Sequence, residues 1–136
     1  MKTRNVITTL ALTLLAGIAV AGLVQPAPVT VDLVNMFAQG DQYAARTSAG
    51  DTEFIGCGSR SIDDGTGNPF RFGFCQAHDA DGDEVTCFTQ NDLLLDEMRA
   101  NSDYAFITFG WQDDGFGGAD CIRVGFSTQS FYLPKK

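Results

Sequence analysis

Alternation of apolar and polar residues is strongest between Phe70 and Phe88. Phenylalanines at 70, 72 and 74 alternate with Arg71, Gly73 and Cys75, a period of two that predicts a strand. Asp79-Ala80-Asp81-Gly82-Asp83 then supplies turn residues, and Glu84 to Thr89 predicts the return strand. Cys75 and Cys87, like Ala77 and Val85, are equidistant from Asp81, so a symmetric hairpin sets the members of each pair opposite one another.

The same reading extends in both directions. Glu53 to Arg60 (EFIGCGSR) predicts the first convincing strand, and Asp63 to Pro69 turns the chain into the phenylalanine strand. Asn91 to Asn101 predicts the single good helix. Asn91 caps it, Asp92 sits where the helix dipole favours an anion, and Leu94, Leu95 and Met98 share one face. Asp96 and Arg99 fall on its wet side as an i,i+3 pair. Tyr104 to Trp111 and Cys121 to Ser127 predict the last two strands, joined by the turn Asp113 to Gly118. Phe131 and Tyr132 read as packing that seals the last strand.

The fold class is therefore mainly β with one helix: about five antiparallel strands in the order β-β-β-α-β-β. A helix between the third and fourth strands of a five-stranded meander is the order of OB-type barrels, and an open sheet or sandwich fits the residues equally. Upstream the pattern weakens. Gly22 to Thr30 has two prolines and no charge, as a tether would, and Val31 to Ala38 fits a short strand or a helical turn or two. Gly40 to Thr52 reads as a surface connection or a frayed strand. The domain plan is a signal peptide over 1–21, a tether and variable segment over 22–52, and a β-rich domain over 53–136.

The signal assignment rests on Lys2 and Arg4, the apolar run after them, and Ala19-Val20-Ala21 as the small-x-small cleavage pattern. An uncleaved anchor is the competing reading, because Val6 to Val24 is 19 uncharged residues, diluted by three threonines and Gly17. The expected localisation is secreted or periplasmic, with no membrane association after cleavage. Without Lys2 and Arg4, seven basic side chains remain against 17 acidic ones, a balance of −10. No Lys/Arg patch exists to displace counterions from phosphate, so no nucleic-acid partner is expected.

Four cysteines in an exported domain predict two disulfides. The gaps between them, 17, 11 and 33 residues, do not form the C-x2-4-C knuckles of a zinc site. Neighbouring strands in the barrel order favour Cys57–Cys75 with Cys87–Cys121. Hairpin symmetry supports Cys75–Cys87 with Cys57–Cys121 almost as well.

From Ile55 onward the chain resembles a family of small exported bacterial proteins of unassigned function. The features are Ile55-Gly56-Cys57; Cys75-x-Ala77-x-Asp79-x-x-Gly82-x4-Cys87; Asp103 to Trp111; Cys121-Ile122-x-Val124; and Ser130 to Lys135. The chain departs from that pattern at Asp113 to Asp120, where a shorter turn is expected. The resemblance implies a shared fold and export and carries no catalytic or ligand residues.

Candidate chemistry is sparse. Asp79, Asp81 and Asp83 offer oxygens for calcium, but an EF-hand counted from Asp79 needs Gly at 84 and Glu at 90, where Glu84 and Gln90 stand. The turn reading, Asp and Gly for their backbone preferences, is simpler, and neither a metal nor another cofactor is expected. Asp63-Asp64 and Asp113-Asp114 repeat the theme and would add to a weak cation site if the turns converged. His78, the sole histidine, stands beside Asp79, yet no G-x-S-x-G nucleophile accompanies it, and the even cysteine count leaves no free thiol. No catalytic residue is assigned. Phe116, in the glycine-rich turn DDGFGGAD, either contacts a partner or folds back over the core.

These features point to a secreted non-catalytic domain that binds a partner protein, a surface component or a small ligand. A small secreted hydrolase or enzyme inhibitor, and a structural envelope or matrix protein, are the alternatives. Intact mass spectrometry of the exported protein checks the processing. The expected mass starts near Gly22 and is lighter than the reduced chain by the hydrogens of two disulfides. A free thiol pair or bound zinc would reverse the cysteine argument.

Overall fold

The computed structural model describes residues 22–134; residues 1–21, where a signal peptide is expected, and the two terminal lysines lie outside the described residues. The elements in chain order are β1 (Thr30–Asp32), β2 (Phe37–Asp41), α1 (Gln42–Arg46), β3 (Phe54–Ile62), β4 (Phe70–His78), β5 (Glu84–Thr89), α2 (Asp92–Arg99), β6 (Phe106–Asp113) and β7 (Ala119–Ser127), closed by a short 3-10 turn at Ser130–Tyr132. All seven strands form one sheet in the order β1-β2-β6-β7-β5-β4-β3. The molecule is mainly β with one main helix. Among the described residues no helix is long and apolar enough to cross a membrane.

Two expectations are corrected. Among the described residues there are seven strands, not about five, and the sheet is mixed because β5 and β7 run parallel. The barrel does not close, although the order β3-β4-β5-β7-β6 is the one that five-stranded barrels use. The reason lies upstream. β2 pairs with β6 over Phe37–Asp41 and so occupies the edge that β3 would need for closure. Residues 30–46, expected within a tether and variable segment, thus supply β1, β2 and α1.

Two buried carboxylates fix that segment. Asp41 is 2% exposed; its Oδ2 accepts the Ala27 N–H at 2.6 Å and its Oδ1 caps α1 by accepting the Ala44 N–H at 2.6 Å. Asp79 is 6% exposed and accepts N–H groups from Val31, Asp81 and Asp83 at 3.0–3.1 Å. One side chain therefore shapes the β4–β5 turn and ties β1 to the far side of the sheet. Gly82, at φ +93°, supplies the positive φ that this turn requires.

The hairpin register is the one that its symmetry predicts, with Cys75 opposite Cys87 and Ala77 opposite Val85. Cys57 stands opposite Cys75 on the other side. Residues directly opposite in a sheet share a face, so Cys57, Cys75 and Cys87 form one row across β3, β4 and β5. The helix α2 covers this face with Leu95 and Met98, both buried. It lies so close over Gly73 that a Cβ there would collide with Met98 Sδ and come within 2.9 Å of Leu95 Cδ2. Asn91 caps α2 by accepting N–H groups from Leu93 and Leu94, and Arg99 pairs with Asp96 at 3.3 Å.

The disulfides join Cys57 to Cys75 and Cys87 to Cys121. The row explains why. Cys57 and Cys75 have Cα atoms 4.0 Å apart, the narrow spacing of a non-hydrogen-bonded pair, where side chains approach most closely. Cys75 must then turn its backbone groups to β5, which places it opposite Cys87 in the wider kind of pair. The alternative pairing would also have to link Cys57 to Cys121 across three strand spacings, about 14 Å at ~4.8 Å each, beyond the reach of a disulfide.

Between β5 and β7 the ladder has one bridging pair, Phe88 with Asp120. Cys87–Cys121 crosses that seam, whereas Cys57–Cys75 lies inside a ladder paired from Phe54 to Ile62. Removing a bridge costs about 3 kcal/mol for the shorter loop and about 4 kcal/mol for the longer one by loop-closure entropy. The Cys87→Ser/Cys121→Ser variant is therefore expected to lose more stability than Cys57→Ser/Cys75→Ser, and to lose hydrogen-exchange protection first along β5 and β7. Urea unfolding with amide exchange measures both. Equal losses with uniform exchange would show that the seam is not the weak line of the sheet.

Candidate functional site

The face that carries the cysteine row is covered by α2 and by the β1–β2–α1 segment, so the alternate residues of β3, β4 and β5 point the other way. On β4 these are Phe70, Phe72, Phe74, Gln76 and His78, and β3 sets Ile62, Arg60, Gly58, Gly56 and Phe54 opposite them in turn. On β5, Phe88, Thr86 and Glu84 stand opposite Phe74, Gln76 and His78. The phenylalanine alternation that identifies the strand thus lies on its outer side, and the inner side takes Gly73, Cys75 and Ala77, all buried. Only small residues fit beneath a helix this close.

The outer phenylalanines form a row. Ring centroids of Phe70 and Phe72 are 6.3 Å apart, those of Phe72 and Phe74 6.5 Å, and those of Phe72 and Phe88 6.2 Å, all within the range of favourable aromatic pairs. The Arg60 guanidinium lies 5.0 Å from the centroid of Phe74, a cation–π contact, and has no carboxylate partner among the described residues. Phe70 and Phe88 are each 50% exposed. Phe72 and Phe88, with Thr89, Gln90 and Asp120, line an open depression of about 390 Å³. Behind the row, Arg71 forms an ion pair with Asp92 at the start of α2.

Part of this row has a structural purpose. A Cβ at Gly58 would meet the Phe74 ring at 3.1 Å, so Phe74 covers the backbone of an edge glycine. No comparable neighbour accounts for Phe70 or Phe88. Sequence reasoning did not single out this surface. Its signal is present in the alternation, but the alternation does not tell which face is covered.

The residues singled out from the sequence are scattered. Asp79 is committed to backbone N–H groups, and among the described residues no group of three or more His, Cys, Asp or Glu side chains is placed to hold a metal ion. The acidic turns do not converge as a set. The turns before β5 and β7 point to the same end of the sheet because those strands are parallel, and the Asp63–Asp64 turn, after β3, points to the other. His78 packs its ring 5.9 Å from Phe54, its Nδ1 is buried without a partner, and the neighbouring Asp79 carboxylate turns to the β1 backbone. A histidine–carboxylate dyad is not formed there.

Phe116 is 95% exposed and belongs to no aromatic pair among the described residues, so it does not fold back over the core. Its turn is set by carboxylates. Asp113 Oδ1 accepts the Gly115 N–H at 2.6 Å, and Asp114 Oδ1 accepts those of Phe116 and Gly118 at 2.7 and 2.9 Å. Phe131 and Tyr132 pack edge to face at 4.6 Å, and Tyr132 stacks on Phe106.

No family model, curated protein or solved structure matches the chain. The reading of its function therefore rests on its own residues.

The N–H groups of Phe116 and then Gly118 hold the Asp114 carboxyl below the ordinary aspartate range. A depressed carboxyl supports its turn at pH values above its unfolded pKa and loses that support as pH falls through the folded one. Acid titration by NMR is expected to move the Phe116 and Gly118 amide resonances together, with a midpoint below that of an ordinary aspartate. Midpoints at or above the ordinary value would show that the carboxylate does not organise the turn.

Proposed function

We propose that the protein is a non-catalytic binding domain of the cell envelope or extracellular space, secreted or periplasmic, and that the outer face of β3, β4 and β5 is its contact surface. Its two disulfides suit an oxidising compartment. The observation that carries the reading is the phenylalanine row, half in water at Phe70 and Phe88, on an ordered sheet whose core closes on the opposite face.

At half exposure each of these side chains forgoes roughly half of the ~1.5–3 kcal/mol that its full burial would gain. A partner that covers them recovers part of that energy, and aromatic and arginine side chains are the types that dominate protein contacts. Arg60, without a carboxylate partner among the described residues, adds a cation held over Phe74. Bases also stack on aromatic rows, but a nucleic acid needs basic density along its phosphates. The chain's balance is acidic, and Asp120 lines the depression beside Phe72 and Phe88.

The hydrolase alternative lacks an assembled constellation, since His78 meets Phe54 in place of a carboxylate. The discriminating experiment is NMR titration of the disulfide-intact protein with peptidoglycan fragments, neutral oligosaccharides and apolar peptides. Shifts are expected at Phe70, Phe72 and Phe88 with the ligand unchanged, and Phe88→Ser is expected to weaken binding about tenfold, ~1.4 kcal/mol. Shifts centred on His78 with conversion of the ligand would replace this reading with the enzymatic one.

A further inference from the structure

We infer that the outer edge of β3 is a homotypic contact, along which two copies of this chain pair antiparallel about a two-fold axis at Gly58. The inference goes beyond the binding reading and does not rest on it, because the edge of β3 and the outer face are different surfaces.

β3 runs nine residues and pairs only with β4, so its other side is an edge of the sheet. The Cys57–Cys75 spacing of 4.0 Å fixes which backbone groups face outward. Residues in non-hydrogen-bonded pairs turn N–H and C=O away from their partner strand, so Ile55, Cys57, Ser59 and Ser61 present theirs to the edge. Among the described residues these groups bond to nothing except the Ser59 carbonyl, which accepts an exposed N–H from Arg60 at 3.3 Å.

Sheet edges that stay solitary are normally guarded by a bulge, a proline, a lysine, an inward charge or a covering helix or loop. β3 has none of the first four, and α1, which packs near it, takes none of its outward N–H or C=O groups. Its register with β4 is unbroken from Phe54 to Ile62, its sequence FIGCGSRSI contains no proline or lysine, and its one charge lies over its own Phe74. The opposite edge of the sheet, β1, is only three residues long.

The side chains select a second copy as the occupant. Along the outer face β3 carries Phe54, Gly56, Gly58, Arg60 and Ile62, with two glycines next to Phe54 and a long arginine next to Ile62. Only registers in which outward-facing residues meet as hydrogen-bonded pairs are allowed. An axis at Arg60 sets two like charges opposite each other, which is unfavourable. An axis at Ser59 leaves Phe54 against the partner's backbone at the Asp63–Asp64 turn. With the axis at Gly58 all nine residues pair, and Cys57 exchanges backbone bonds with Ser59 of the other copy. Arg60 then falls opposite Gly56, where the space for a side chain is open, and Phe54 meets Ile62 at both ends. Phe54 and Ile62 are 45% and 40% exposed in the single chain, so pairing covers the two apolar residues that the edge leaves in water. The two phenylalanine rows then lie on one continuous sheet face.

Both copies are strongly acidic, so their mutual repulsion is screened by salt. Sedimentation velocity on the exported, disulfide-intact protein tests the contact. The expected result is a monomer–dimer equilibrium that shifts toward dimer between low and ~0.5 M salt, where the Debye length is only a few ångströms. Ser59→Pro removes an outward N–H without touching the β4 ladder, and is expected to weaken dimerisation at least tenfold. Gly56→Lys places a cation opposite Arg60 of the other copy in open space and is expected to do the same. Phe88→Ser, on the outer face, is expected to leave the dimer intact, which separates this contact from the binding surface. A monomer at every concentration up to about 1 mM, or a dimer indifferent to both edge variants in folded protein, overturns the inference.

Discussion

The structure depends on one junction, the seam between β5 and β7. Each half of the sheet is a continuous antiparallel ladder, β3-β4-β5 on one side and β1-β2-β6-β7 on the other. Along the sheet the halves meet through one parallel bridge at Phe88 and Asp120 and the Cys87–Cys121 disulfide one residue away; across it, α2 packs from β7 to β4 and β3, β1 and α1 pack on β4 and β3, and Asp79 holds the Val31 N–H. A parallel contact this short contributes little by itself. The covalent link and the helix hold it, and the helix can do so only by lying almost on the sheet.

That close approach decides the rest of the β3–β5 surface. A helix resting on Gly73, with β1 and α1 packed beside it on the same face, demands small residues there, and the strands supply Gly73, Cys75, Ala77 and Cys87. Alternation then forces the large side chains of the same strands outward, where they meet one another as an aromatic row. The exposed phenylalanines are thus the geometric complement of the disulfide face. The deeper core sits on the other half, where Ile107, Phe109 and Trp111 of β6 are buried.

How much of this was legible follows from the same geometry. The β4–β5 hairpin, its register, the helix α2 and the relative order of five strands could be read because period and capping are local signals. β1 and β2 could not. Val31 and Ala38 turn inward, but Leu33, Val34 and Met36, in the turn between them, are exposed, so no clean period survives. What holds these strands is non-local: Asp41 reaches back to Ala27, and Asp79 reaches Val31 across 48 residues. A capping aspartate before QYAAR was a readable hint for α1; the Asp79 tie was not. The orientation of the phenylalanine strand was equally hidden, because a period of two separates the faces without ranking them, and the habit of placing phenylalanine inside gives the wrong side.

The two unforeseen strands also explain why the sheet has an open side at all. In the five-strand order, β6 and β3 would meet and leave no edge. β2 takes the β6 position first, with Asp41 and Asp79 anchoring the segment by buried carboxylates. Each side chain accepts two or three backbone N–H groups, so its burial is compensated by hydrogen bonds. Blocking closure on one side transfers the unpaired edge to β3 on the other. An edge strand joined to its neighbour by a disulfide and flanked by an aromatic face is then a consequence of how the N-terminal segment is tied down, and the surfaces available for contact follow from that tie.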